Sequence, residues 1–67
     1  MNANDVGAVI RKRRDVLGID QRALGEIAGI AVHTLSNIEA GKGNPTVATL
    51  ERVLQALGME LRIHVKP

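Results

Sequence analysis

The chain has no cysteine, phenylalanine, tyrosine or tryptophan, and only two prolines in 67 residues. Without cysteine there is no disulfide, and two histidines without a thiol do not make a structural zinc site. Both absences fit a reducing, cytosolic setting. Without aromatic rings there is no platform on which single-stranded nucleic acid stacks its bases. No apolar run approaches the roughly 18 residues of a membrane span, and the polar opening Met1-Asn2-Ala3-Asn4-Asp5 does not read as a signal peptide. His33 and His64 are far apart and lack paired acidic neighbours. Ser36 has no base placed for it, and so short a chain encloses no pocket. The expectation is a soluble cytoplasmic chain that is not an enzyme and needs no cofactor or metal.

What is present is one small domain, residues 1–67, of 7.2 kDa. A chain of this size buries only about 60% of its extended surface, so oligomerisation is the remaining common source of stability. Nine Lys/Arg stand against seven Asp/Glu, a net charge of +2. Four of the nine are consecutive, Arg11-Lys12-Arg13-Arg14. Such a cluster suits a polyanionic partner or a solvated helix face. If the partner is a nucleic acid, the missing aromatics favour duplex DNA.

Apolar residues recur at helical spacing. Val6, Val9, Ile10, Val16 and Leu17 predict a helix over about 5–17, with Asn4 or Asp5 as N-cap and Gly18 as its stop. Asp20 caps a second over 21–28, with Leu24, Ile27 and Ala28 on one face. A third spans 32–40, with Leu35 and Ile38 inward and Gly41 closing it. After the loop Lys42-Gly43-Asn44-Pro45, Thr46 caps a fourth over 46–57 through Val47, Leu50, Val53, Leu54 and Leu57. Beyond Gly58 the period changes to two: Met59, Leu61, Ile63 and Val65 alternate with Glu60, Arg62, His64 and Lys66. That predicts one strand over 59–65.

The informative stretch runs from Gln21 to Gly41. Two short helices meet at Gly29-Ile30-Ala31, Gly25 is small enough for a close crossing, and Leu24, Ala28, Ile30, Leu35 and Ile38 supply inner faces. Together these define a helix-turn-helix. With Leu35 and Ile38 inward, the outer face of the second helix carries Val32, His33, Ser36 and Asn37, with Thr34 at its margin. In a major groove Asn37 would pair with adenine, Val32 would meet a thymine methyl, and His33 would donate to guanine N7 or a phosphate.

The run Gln21-x-x-Leu24-Gly25-x-x-Ala28-Gly29-Ile30-x-x-x-Thr34-Leu35-Ser36-x-Ile38-Glu39-x-Gly41 resembles the Cro/C1-type (XRE) helix-turn-helix family. Ile10-Arg11-x-x-Arg14 upstream and Asn44-Pro45-Thr46-x-x-Thr49-Leu50 downstream fit as well, so the resemblance covers about residues 5–58. The tail Leu57-Gly58-Met59-Glu60-Leu61-Arg62-Ile63 is similar to the HipB-like antitoxin branch, in which the helical domain ends in a dimerising strand. The resemblance implies a mainly α fold of four or five helices with one C-terminal strand that pairs across a homodimer. It implies a repressor of duplex DNA that binds a palindromic operator and, in the antitoxin branch, also binds a HipA-like kinase toxin. A stand-alone repressor and a protein-interaction adaptor on the same fold are the competing readings.

The resemblance assigns base contacts to Val32, His33, Ser36 and Asn37, and backbone contacts to Gln21, Thr34, Lys42 and Asn44. It assigns a structural ion pair to Arg14 and Glu39, and the dimer interface to Met59, Leu61, Ile63 and Val65. Arg11, Lys12 and Arg13 are expected to attract DNA at long range. Three positions depart from the family pattern. Ala31 stands where a polar residue caps the recognition helix, and Asp20 replaces a neutral cap. Gly25 replaces alanine, an expected cost of about 0.5–1 kcal/mol in helix stability.

Overall fold

The computed structural model describes residues 3–67. The helices are α1 (Ala3–Leu17), α2 (Gln21–Ala28), α3 (Val32–Glu39) and α4 (Val47–Ala56). α1 begins two residues earlier than its apolar pattern, so Asp5 lies in its first turn rather than at its cap. The cap position itself falls outside the described residues. Asp20 and Thr46 do cap α2 and α4: their side-chain oxygens accept from the amides of Ala23 at 2.7 Å and Thr49 at 3.1 Å. Ala40 belongs to the turn after α3, and Leu57 to the turn after α4.

All four helices end in the same way. An amide two or three residues past the last helical residue reaches back five positions: Ile19 to Arg14, Ile30 to Gly25, Lys42 to Asn37 and Met59 to Leu54. This bond satisfies a carbonyl that helix termination would leave without a donor. The three apolar residues among those four, Ile19, Ile30 and Met59, fold back onto the core.

Among the described residues seven hydrophobic residues are buried, Ile10, Leu24, Leu35, Ile38, Val53, Leu54 and Leu57, so every helix or the turn after it contributes to one cluster. α1 packs on α3, and α2 on both α3 and α4. Burying each such side chain contributes about 1.5–3 kcal/mol. The inward face of α1 is Val6, Gly7 and Ile10, with Arg13 and Arg14 half-buried further along. Val9 and Val16, expected in that stripe, lie on the outer face, and Leu17 is exposed as well. The reason is steric. A Cβ on Gly7 would run into the carbonyl oxygen of Ile38 and stand 2.8 Å from that of Glu39. The end of α3 thus presses directly on the backbone of α1, and Gly7 rather than a valine faces it.

No strand occurs among the described residues. Residues 59–67 have no regular secondary structure, where a strand over 59–65 was expected. A strand is defined by its ladder, and a single copy of this chain offers no second strand to complete one.

Candidate nucleic-acid interface

The turn between α2 and α3 depends on Gly29, whose φ of 71° is a left-handed conformation that side chains disfavour. The Gly29 and Ile30 amides both return to the Gly25 carbonyl. A Cβ on Gly25 would lie 2.7 Å from the Ile30 carbonyl oxygen. Glycine there is therefore required by the turn, and alanine, the better helix former, has no room.

α3 starts at Ala31 without any side-chain cap bond, as the sequence suggested. Leu35 and Ile38 are buried, which fixes the rotation of the helix. His33, Thr34 and Ser36 are exposed, Val32 is 43% exposed, and Asn37 is half-buried. The four residues expected to face base edges thus share one open face. Within it the Asn37 amide nitrogen lies 3.4 Å from His33 Nε2, one helical turn away.

The residues expected to meet the sugar–phosphate backbone divide between the two sides of α3. On one side Thr34, Asn37, Lys42, Gly43, Asn44 and Pro45 border a shallow depression. On the other, Arg11 and Gln21 border a second one with Ser36 and the Arg14–Glu39 pair. A recognition helix with polar and cationic groups along both flanks has the geometry needed to lie in a groove between two phosphate strands.

Arg14 and Glu39 form the expected pair. Arg14 Nε donates to Glu39 Oε2 at 2.9 Å, and Nη2 donates to Oε1 at 3.0 Å. Their side chains are 13% and 4% exposed. Arg14 Nη1 also donates to the Ile19 carbonyl at 2.9 Å, and Gln21 Nε2 to Glu39 Oε1 at 3.3 Å. The pair therefore joins α1, the α1–α2 connection, α2 and α3 at one point. The hydrogen bond to Glu39 holds the Arg14 guanidinium above the ordinary arginine range, against a smaller opposing effect of desolvation. Gln21 uses one amide N–H on Glu39, and its second remains to donate elsewhere.

Two basic residues stand differently from their sequence assignment. Arg13 Nε donates to the Leu57 carbonyl at 3.1 Å, capping the turn after α4, so Arg13 ties α1 to α4. Arg11 sits beside Gln21 in the flanking depression rather than remote from the interface. The sequence signal for Arg11 was present: positions 10 and 14 face inward, and position 11 follows 14 around the helix toward α2.

Two short helices joined by a tight left-handed turn, the second carrying an open polar face, define the helix-turn-helix class of DNA-binding domain. The chain belongs to the helix-turn-helix family, whose profile matches residues 10–63. An HTH-type transcriptional regulator of Methanothermobacter thermautotrophicus is 35% identical over 52 residues, covering 78% of this chain and 75% of that one. The HTH-type transcriptional regulator y4dJ of Sinorhizobium fredii is 37% identical over 54 residues, covering 81% and 70%. The fold matches that of the restriction-modification controller protein C.AhdI from Aeromonas hydrophila, with a TM-score of 0.82 at 22% identity, over 87% of this chain and 88% of that one. The clp gene regulator ClgR from Corynebacterium glutamicum gives a TM-score of 0.81 at 29% identity. That match takes in 87% of this chain but 62% of ClgR.

Proposed function

We propose that this chain is a sequence-specific transcriptional repressor that binds a palindromic duplex operator as a homodimer. The observation that carries this reading is the open face of α3, with Val32, His33, Ser36 and Asn37 turned away from Leu35 and Ile38. Asn37 reads adenine through N6 and N7, a contact worth about 1–3 kcal/mol of discrimination. Val32 packs on a thymine methyl, His33 donates to guanine N7 or a phosphate, and Ser36 lets the helix approach closely. Gln21 on one flank, and Thr34, Lys42 and Asn44 on the other, hold the backbone and set the register. Selection from randomised duplex at moderate salt should enrich a two-fold symmetric site, with half-sites about 34–36 Å apart. Recovery of no enriched site contradicts the repressor reading and leaves the adaptor alternative.

The dimer in this reading forms through residues 59–65. An extended segment with one apolar face and a free edge acquires a ladder by pairing with its own copy. Deleting residues 59–67 should then give a monomer with badly weakened operator binding. A truncated chain that still sediments as a dimer at micromolar concentration would contradict strand pairing.

The same tail supports a finer reading, an autorepressing antitoxin that also holds a HipA-like kinase. Copurification with a kinase of that type encoded in the adjacent reading frame tests it. If no such kinase is there, the reading reduces to a stand-alone repressor.

A further inference from the structure

His33 and Asn37 stand four residues apart on α3, so they lie one above the other on its outer face. His33 is exposed and Asn37 half-buried, and the buried Leu35 and Ile38 hold the helix in that rotation. The Asn37 backbone carbonyl accepts from the Lys42 amide at 2.8 Å, which ties this residue to the turn that follows. Asn37 Nδ2 lies 3.4 Å from His33 Nε2. An amide nitrogen has two N–H groups and no lone pair to offer, so Nδ2 donates and Nε2 is the bare ring nitrogen that accepts. The proton of neutral His33 is then on Nδ1, where it remains free to donate.

This bond decides what Asn37 shows to a base. With one N–H on His33, the side chain keeps one N–H and its carbonyl oxygen, a donor beside an acceptor. Adenine presents the complement in the major groove, an acceptor at N7 and a donor at N6. A protonated His33 donates from both ring nitrogens. Its Nε2–H then faces Nδ2, donor against donor, and the contact is regained only when the amide turns over and offers its oxygen. Asn37 is left with N–H groups alone, and their complement is guanine, with acceptors at N7 and O6.

We propose that His33 is a positioning residue for Asn37: neutral, it sets the amide to read adenine, and protonated, it sets the amide to read guanine. The inference rests on the base-reading role of α3 proposed above and adds that the preference at one position depends on pH. A histidine changes charge between about pH 5 and pH 8, an interval in which lysine and arginine stay charged. The charged groups bordering this face are Lys42, beside Asn37, and Arg11 with the Arg14–Glu39 pair, beside Ser36. α2 contributes the uncharged Gln21 there. Glu39 is held by Arg14 through two hydrogen bonds. That leaves His33 as the group on this face that titrates.

Selection from randomised duplex tests this, at one fixed salt concentration and at about pH 8 and about pH 5.5, for the parent, Asn37→Ala and His33→Gln. Both substitutions fall on the outer face of α3, and thermal melting at each pH verifies the fold. The position that Asn37 reads is the one whose preference Asn37→Ala loses. There the parent should prefer adenine at the higher pH, and its adenine-to-guanine ratio should fall at least about tenfold at the lower. Glutamine does not titrate, so His33→Gln should show no such change with pH. A parent ratio that ignores pH, or a preference for another base at the higher pH, overturns this inference and leaves the base-reading role of α3 standing. An acid shift that survives in Asn37→Ala means that His33 touches bases itself, and one that survives in His33→Gln means that another group titrates; either overturns the inference. If the parent enriches no site, or Asn37→Ala loses no preference, the reading of α3 and this inference fall together.

Discussion

Arg14 and Glu39 meet through two parallel hydrogen bonds at a point where three helices converge. Removing Glu39 leaves the Arg14 charge half-buried with only the Ile19 carbonyl and the exposed Asp15 carboxylate beside it, so Glu39→Ala should cost up to about 3–5 kcal/mol in urea denaturation. Replacing both residues by apolar ones of similar size, Arg14→Met with Glu39→Leu, should recover most of that loss. A loss below about 1 kcal/mol in Glu39→Ala would show that the pair is incidental. The raised Arg14 pKa has no effect near neutrality. A cation stabilised in the fold contributes fully below its unfolded pKa, and for arginine that value lies far above neutrality. Glycine positions make the second prediction at this scale. By helix propensity alone Gly25→Ala stabilises, by about 1 kcal/mol. With the Ile30 carbonyl 2.7 Å from the new methyl, it should instead destabilise by about 1–3 kcal/mol and lower Tm. A higher Tm for Gly25→Ala would mean that the turn has slack it does not show.

The four helices were legible because each combines an apolar period with a chemical stop. Asp20 and Thr46 act as caps, and the turns at Gly29 and Gly41 fall where the pattern breaks. The pairing of Arg14 with Glu39 was legible through the family resemblance alone, since no local rule links residues 25 apart. Three features were not legible. Val9 and Val16 looked like core by hydrophobicity, yet the backbone of α1 meets α3 at Gly7, a contact without a side-chain signal. Arg13 looked like surface charge, yet it caps a carbonyl 44 residues away. The alternation after Gly58 predicts a strand, yet residues 59–67 have no regular secondary structure, because a ladder needs a pairing partner that the pattern of one segment does not supply. The Arg13 contact is testable by amide hydrogen exchange. Arg13→Met should speed exchange at Gly58 and Met59, whose amides bond to Gln55 and Leu54, and leave operator preference unchanged. Unaltered protection at those two amides would show that the cap does not hold the turn.

At the scale of the whole molecule, the proposed function divides labour between α3 and the basic residues on its flanks. α3 carries no Lys or Arg, whereas Arg11 and Lys42 stand on opposite sides of it. Attraction to DNA and discrimination among sequences should therefore separate under mutation. Lys42→Ala should weaken every duplex alike and reduce the salt slope by about one unit, because one phosphate contact is lost. The central claim is that the open face of α3 reads bases. Its most direct test is a gel-shift titration of Asn37→Ala against the parent on the selected operator and on an unrelated duplex, at one fixed salt concentration. Specific affinity should fall by about 1–3 kcal/mol, roughly 5- to 150-fold, while affinity for the unrelated duplex stays unchanged. Equal operator binding by Asn37→Ala and the parent would mean that the reading face of α3 has been assigned to the wrong residues.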